Sequence, residues 1–209
     1  MITIKELTDK QFVKNYIEKN HYSHKIPQAI KYRFGLYSKD ILNGVVIFSI
    51  PANQYSITSV FSEETQKIVI ELSRVYTKDD LKKNYLSQAL SLCFKYLKNN
   101  SNYDIILSYA DPNFNHNGCI YQALNGLYLG QTNKEIRYII NGQLITRRGL
   151  GRKKGISEKE DVNRLISQGA KKLKMQGKYI YIWFICNKRR RKQVIQKIKV
   201  SIKPYPKIK

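Results

Sequence analysis

IVIELSRVYTKDDLKKNYLSQALSLCFKYLKNNSNYDIILSYADP, residues 68–112, sets the class of the fold. Ile68–Tyr76 is a β-rich run. Residues 83–98 then place Leu86, Ala89, Leu90, Cys93 and Leu97 at helical spacing, the signature of a helix with one buried stripe. Tyr103–Tyr109 is a short apolar strand, closed by Ala110-Asp111-Pro112. Strand, helix and strand in succession point to an α/β or α+β sheet rather than a bundle or a sandwich.

The flanks extend the same pattern. Toward the N-terminus, Ile2–Leu7 alternates as a strand, and Thr8-Asp9-Lys10-Gln11 reads as a capping box with Thr8 at the N-cap and Gln11 at N3. The helix that follows carries Phe12, Val13, Tyr16 and Ile17 on one face and ends near Asn20. Ile30–Tyr37 and Val45–Ile50 form an antiparallel hairpin. Toward the C-terminus, Asn117–Asn125 is a short helix closed by Gly126, with strands at Tyr128–Thr132 and Glu135–Ile140 and an Asn141-Gly142 turn before Leu144–Thr146. A basic, glycine-rich loop, residues 147–155, leads to a second capping box, Ser157 with Glu160. The helix after it carries Val162, Leu165, Ile166, Ala170 and Leu173 and is ended by Gly177. Tyr179–Cys186 is an aromatic-rich strand, followed by Lys188-Arg189-Arg190-Arg191-Lys192. The expected architecture is a mixed central sheet flanked by helices, residues 1–146, with a basic C-terminal helix–strand segment, residues 147–209, packed on the same domain.

Charge is segregated along the chain. The net formal charge is +23, of which residues 1–133 carry +4 and residues 134–209 carry +19. An ordinary soluble surface mixes signs, so this asymmetry predicts a polyanionic partner. No run reaches the ~18 apolar residues of a membrane span, no basic amphipathic helix with a bulky aromatic face stands out, and the N-terminus lacks an apolar leader. A cytosolic protein without a membrane partner is therefore expected. Cys93, Cys119 and Cys186 lie far apart, which predicts buried free thiols rather than a disulfide framework or a zinc motif.

Three constellations carry chemistry. His21-Tyr22 sits in a loop after a helix, and an imidazole there is either a metal ligand or a plain surface residue. Glu71 and Arg74, three apart on a strand, point to opposite faces unless a bulge intervenes, and otherwise form a structural ion pair. Asp111 follows an apolar strand, where open α/β sheets place ligands. It faces one crevice with Tyr121 if the next helix packs back. The bland reading of Asp111 is a turn initiator before proline.

His21-Tyr22-Ser23 with Pro27, Glu71-Leu72-Ser73-Arg74, and Ser108-Tyr109-Ala110-Asp111-Pro112 with Gly118 and Tyr121 resemble, in order and spacing, the signature of the Mom family of bacteriophage DNA-modification proteins. The resemblance implies a GNAT acetyltransferase-like fold and a transferase that adds a carbamoylmethyl (acetamido) group to N6 of adenine in double-stranded DNA, shielding it from host restriction in the host cytoplasm. It implies catalytic roles for Asp111, Tyr121, Arg74 and Glu71, donor binding by Arg74, and an iron ion (Fe2+) held by His21, Tyr22 and Asp111. His24 and His116 are the candidates for a second imidazole ligand. The basic residues Arg147, Arg148, Arg152, Lys153 and Lys154, and Lys188, Arg189, Arg190, Arg191 and Lys192, are the expected DNA contacts. The segment Val75–Asn84 has no glycine and carries Asp79 and Asp80 where such a fold binds pyrophosphate on open backbone N–H groups. That departure argues against acetyl-CoA as the donor and leaves the donor open. The oligomeric state is not readable from the sequence; a dimer is possible. The competing readings are a GNAT-type acetyltransferase acting on RNA or a basic protein, which predicts CoA binding, and a non-catalytic nucleic-acid-binding protein.

Overall fold

The computed structural model describes residues 1–51, 54–146 and 157–206. The elements are β1 (Ile2–Glu6), α1 (Lys10–Asn20), β2 (Ile30–Ser38), β3 (Ile41–Ser49), α2 (Gln54–Val60), α3 (Glu63–Gln66), β4 (Val69–Thr77), α4 (Tyr85–Asn100), β5 (Ile105–Ala110), a 3-10 turn (Pro112–Phe114) and α5 (Cys119–Ala123), followed by β6 (Leu127–Gln131), β7 (Glu135–Ile140), β8 (Gln143–Thr146), α6 (Glu158–Ser167), β9 (Lys171–Met175), β10 (Tyr179–Phe184) and α7 (Lys188–Ile195). Seven strands form one sheet in the order β1-β2-β3-β4-β5-β10-β6, and β8-β7-β9 form a separate small sheet. In the large sheet only β4 and β5 run parallel; the other pairs are antiparallel.

Both faces of the large sheet are covered. On one face α4 buries Ala89, Leu90, Cys93 and Leu97 against Phe34, Val46, Phe48, Ile70 and Ile106. On the other, α1 sets Val13 and Ile17 on Val45 and Ile47, and Ile57, Phe61 and Val194 from α2 to α7 cover Val69, Ile105, Leu107 and Ile182. This double coverage explains why Val45-Val46-Ile47-Phe48 is continuously apolar instead of alternating. The β2–β3 turn is made by Lys39 and Asp40, both at positive φ (51° and 60°), as a tight two-residue hairpin requires.

Several expectations are corrected. The N-cap of α1 is Asp9, whose carboxylate accepts from the Phe12 N–H at 2.9 Å; the true cap lies one residue beyond Thr8. The Ser157–Glu160 capping box does form, with Ser157 N–H donating to Glu160 at 2.9 Å. The helix it starts ends at Ser167, however, and Gly169 turns the chain at φ +86°. Residues 171–175 then pair with β7 as a strand, so Ala170 and Leu173 do not continue a helical stripe and Gly177 caps no helix. All three cysteines are free, but Cys119 is exposed; Cys93 is buried, and burial pushes its thiol up to about 12. β10, from the basic C-terminal segment, lies between β5 and β6 of the large sheet.

Candidate active site

The parallel pairing of β4 with β5 covers only Val69–Ile105, Ile70–Ile106 and Glu71–Leu107. Beyond it the strands part, and a crevice opens at their carboxyl ends. Two features shape it. The β3–β4 register jumps from Phe48–Leu72 to Ile47–Arg74, leaving Ser73 as an extra residue. This β-bulge re-aims the strand, and it brings Glu71 and Arg74 into electrostatic contact despite their separation by three. The Ser108 hydroxyl bridges the gap, 2.9 Å from the Leu72 carbonyl and 2.9 Å from the Tyr121 hydroxyl. Ser108 has one proton to give. When it donates to Leu72, Tyr121 donates to Ser108.

Arg74 is pinned by its own backbone and by the loop after α1, with Nη1 donating to the Ser73 carbonyl at 2.6 Å and Nε to the Lys25 carbonyl at 2.9 Å. That loop begins with His21, whose N–H caps α1 on the Ile17 carbonyl at 2.9 Å. The His21 ring is buried, and its Nδ1 accepts from the Ser23 N–H at 3.1 Å. Burial first, and then the charges of Arg74, His116 and His24, lower its pKa to about 4. The imidazole is therefore neutral near pH 7. A histidine that is neutral in the fold but protonates at 6.5 when exposed contributes stability fully above pH 6.5 and loses it as pH falls toward 4. Melting temperature is expected to fall with pH across this window, and less steeply in His21→Gln; parallel melting-temperature curves for the two proteins would refute the assignment.

Tyr22 stacks on His21 at 4.3 Å between ring centroids and meets Phe114 at 4.8 Å and His116 at 4.6 Å. The residue is 42% exposed. Burial of the hydroxyl, then the nearby Asp111 charge, raise its pKa, so the phenol keeps its proton. Tyr121, on α5, is more strongly affected: burial pushes it to about 12, which makes it a hydrogen-bond donor at neutral pH.

Asp111 ends β5 and is 2% exposed. Its Oδ1 accepts from the Asn113 N–H at 3.1 Å and the Asn113 amide at 2.7 Å. Its Oδ2 faces Arg137 at 3.9 Å and Lys178 at 3.8 Å. Both cations belong to the stretch between β6 and β10. Asn113 fixes that stretch in place by donating to the Gln176 carbonyl at 3.0 Å and accepting from the Gln176 N–H at 2.9 Å. A carboxylate this buried needs such partners, because an uncompensated charge in the interior costs several kcal/mol.

The four chain-distant segments around residues 21, 74, 111 and 121 thus meet at one crevice. The sequence reading missed Arg137, Lys178, Asn113 and Phe114. Only Phe114 carried a local signal, as an aromatic residue in the otherwise polar loop after β5. One basic run falls elsewhere. Lys188–Lys192 are the start of α7, where Arg190 donates to Asp104 at 2.7 Å and Arg191 lies over Phe184 at 5.2 Å. That is the opposite end of β5 from Asp111, about 23 Å away at ~3.3 Å per residue. Arg147, Arg148, Arg152, Lys153 and Lys154 lie outside the described residues.

The expected Fe2+ set does not fit this arrangement. His21 Nδ1 already accepts from the Ser23 N–H, which leaves the proton of the neutral ring on Nε2, the other nitrogen a metal would use. Oδ1 of Asp111 is taken by Asn113, and Arg137 and Lys178 flank Oδ2, where a metal cation would be repelled. His24 is held at the Glu18 carbonyl at 2.8 Å. Among the described residues no group of three or more His, Cys, Asp or Glu is placed to hold a metal ion. Nor is any helix among them long and apolar enough to cross a membrane.

Comparison with known proteins gives matching results on sequence and fold. The profile of the Mom protein family matches residues 1–207. The methylcarbamoylase mom of Escherichia phage Mu is 27% identical over 197 residues, covering 91% of this chain and 78% of that protein. Among solved structures, spermidine N-acetyltransferase from Vibrio cholerae superposes with a TM-score of 0.51 at 12% identity, over 88% of this chain and 94% of that one. NAA60 from Arabidopsis thaliana, solved in complex with acetyl-CoA, gives 0.51 at 10% identity, over 88% and 99%. These two likenesses establish a GNAT acetyltransferase fold.

Proposed function

The chain belongs to the Mom protein family, and from this premise we propose that it is a transferase acting on double-stranded DNA, adding a carbamoylmethyl group to N6 of adenine and so protecting the DNA from restriction. The observation that carries the reading is the composition of the crevice: an open aromatic cluster, Tyr22 with Phe114 and His116, beside a buried carboxylate, Asp111, under the cations Arg137 and Lys178, with Arg74 across the gap. Adenine has two flat faces and one exocyclic amine, and this site offers a surface for a face and an acceptor for the amine.

The roles follow from the geometry. Adenine N6 is hidden inside a duplex, so the base must be rotated out; the Tyr22–Phe114–His116 cluster stacks on it. Asp111 accepts an N–H of the exocyclic amine and aims the nitrogen at the electrophilic carbon of the donor; as the N6–carbon bond forms, the donor's leaving group departs from that carbon with the bonding pair and N6 gives up one proton to Asp111. Holding two weakly reactive partners in line supplies much of the acceleration such a reaction needs. Arg74, Arg137 and Lys178 neutralise anionic groups of the donor or the DNA. Tyr121, protonated and tied to Ser108, keeps the parted strands in register.

Asp79 and Asp80, both exposed in the β4–α4 loop, support a donor other than acetyl-CoA, since they would oppose a pyrophosphate. Expression of the wild-type chain in cells is expected to convert a fraction of deoxyadenosine into a species heavier by a carbamoylmethyl group, read by mass spectrometry of DNA nucleosides. Unaltered deoxyadenosine alongside abundant soluble protein would overturn the proposal.

A further inference from the structure

The described chain has two exposed basic segments in its C-terminal part, and they sit at opposite ends of β10. The segment after β10 is α7, at the Phe184–Ile105 end; the segment before it is β9, at the Tyr179–Ala110 end, where Asp111 begins the crevice. β9 reads Lys-Lys-Leu-Lys-Met, with Lys171, Lys172, Leu173 and Lys174 all exposed. It is an edge strand of the small sheet. Its C-terminal end runs into Gln176, which is locked to Asn113 by two hydrogen bonds. At ~3.3 Å per residue, Lys174 lies about 7 Å and Lys171 about 17 Å along the chain from Gln176.

We infer that β9 is the surface that seats double-stranded DNA beside the crevice, its lysines neutralising the phosphates that flank the rotated base; this rests on the DNA reading above. Three observations support it. First, the small sheet is a fixed extension of the crevice wall, since Arg137 of β7 reaches Asp111 while Leu173 of β9 pairs with Arg137 on the same side of the sheet. Second, α6 packs on the Tyr138 side of that sheet through Leu165; Lys172 and Lys174 share that side and Lys171 the side of Arg137 and Leu173, and all three lysines stay exposed along the edge. Third, the lysines follow the strand outward from the site, whereas the cations of α7 begin about 23 Å from it, at ~3.3 Å per residue of β5. Lysines on an edge strand also keep other strands from pairing there. That role alone would show as self-association in their absence and would not affect binding to DNA.

The test is the salt dependence of binding to a short adenine-containing duplex, measured for the wild type, for K171Q/K172Q/K174Q, and for K188Q/R189Q/K192Q. The last leaves Arg190 and Arg191 in their contacts with Asp104 and Phe184. Each lost phosphate contact reduces the slope of log K against log salt by ~0.9, so the β9 variant is expected to flatten it by roughly 2–3. It is also expected to lower adenine modification in cells about tenfold or more, with an unchanged melting temperature because all three side chains are exposed. A β9 slope equal to that of the wild type, with the α7 variant alone flattened, overturns the inference while leaving the DNA reading intact. Absence of salt-dependent duplex binding by the wild type overturns the DNA reading and the inference together.

Discussion

Asp111→Asn is expected to reduce DNA adenine modification by about a hundredfold or more, the loss typical when an aimed polar group leaves a reacting centre, while the protein still folds. The substitution keeps the shape of the side chain and an oxygen for the Asn113 donors at 3.1 and 2.7 Å. It replaces the oxygen that faces Arg137 and Lys178 at 3.9 and 3.8 Å with an N–H donor. Two cations then face a donor instead of a carboxylate, in a site where Asp111 is 2% exposed. The stability cost of such a mismatch is about 1–3 kcal/mol, a melting decrease of roughly 2–12 °C for a chain of this size. Asp111→Ala also leaves the Asn113 donors unpaired and is expected to cost more, about 3–5 kcal/mol. Nucleoside mass spectrometry decides the catalytic part and thermal melting the structural part. A folded Asp111→Asn protein that modifies adenine at the wild-type level removes Asp111 from the chemistry.

Gly177→Ala is expected to lower the melting temperature by roughly 2–12 °C, from an overpacking cost of about 1–3 kcal/mol, and to abolish modification. Gly177 lies where the chain returns from the small sheet to β10. A Cβ there would run into the Thr132 carbonyl oxygen of the outgoing strand. The two strands are joined at this neck by Thr132 N–H donating to the Lys178 carbonyl at 2.9 Å and Lys178 N–H donating to the Thr132 hydroxyl at 2.9 Å. Backbone atoms on both sides prevent the clash from being relieved by a side-chain rotation, so the neck must open. Opening it moves Lys178 and the Gln176–Asn113 lock together, and with them the cations on Asp111. Gly142→Ala is the control: its φ of +76° is strained for alanine, but a Cβ there meets nothing within 4 Å. It is expected to cost only about 1–2 kcal/mol and to leave modification intact. Equal effects of the two substitutions on modification would show that the neck does not position the site.

The site was legible in the sequence as separate pieces. His21-Tyr22, Arg74, Asp111 and Tyr121 stood out through residue type and local setting, and the structure brings them to one crevice. What the sequence could not show was the partners of Asp111. Arg137 and Lys178 are ordinary residues of a strand and a loop, 26 and 67 positions away, and nothing local distinguishes them from the other cations of a chain with 38 Lys and Arg. The basic run at Lys188–Lys192 was conspicuous in composition, yet Arg190 is tied to Asp104 at the far end of β5.

By itself the sequence determined whatever is encoded within a few neighbouring residues. The stripe of Ala89, Leu90, Cys93 and Leu97 makes α4 because helical spacing puts those side chains on one face, and the Ser157–Glu160 box starts α6 because its two bonds close within four residues. Tertiary structure decided everything that depends on pairing between distant segments. It alone placed β10 between β5 and β6, turned Lys171–Met175 into a strand on β7, and inserted Ser73 as the bulge that unites Glu71 with Arg74. Over five residues a helical and an extended pattern are nearly indistinguishable, and a register shift of one residue reverses the face of every side chain beyond it. Both ambiguities are resolved only by the strand lying alongside.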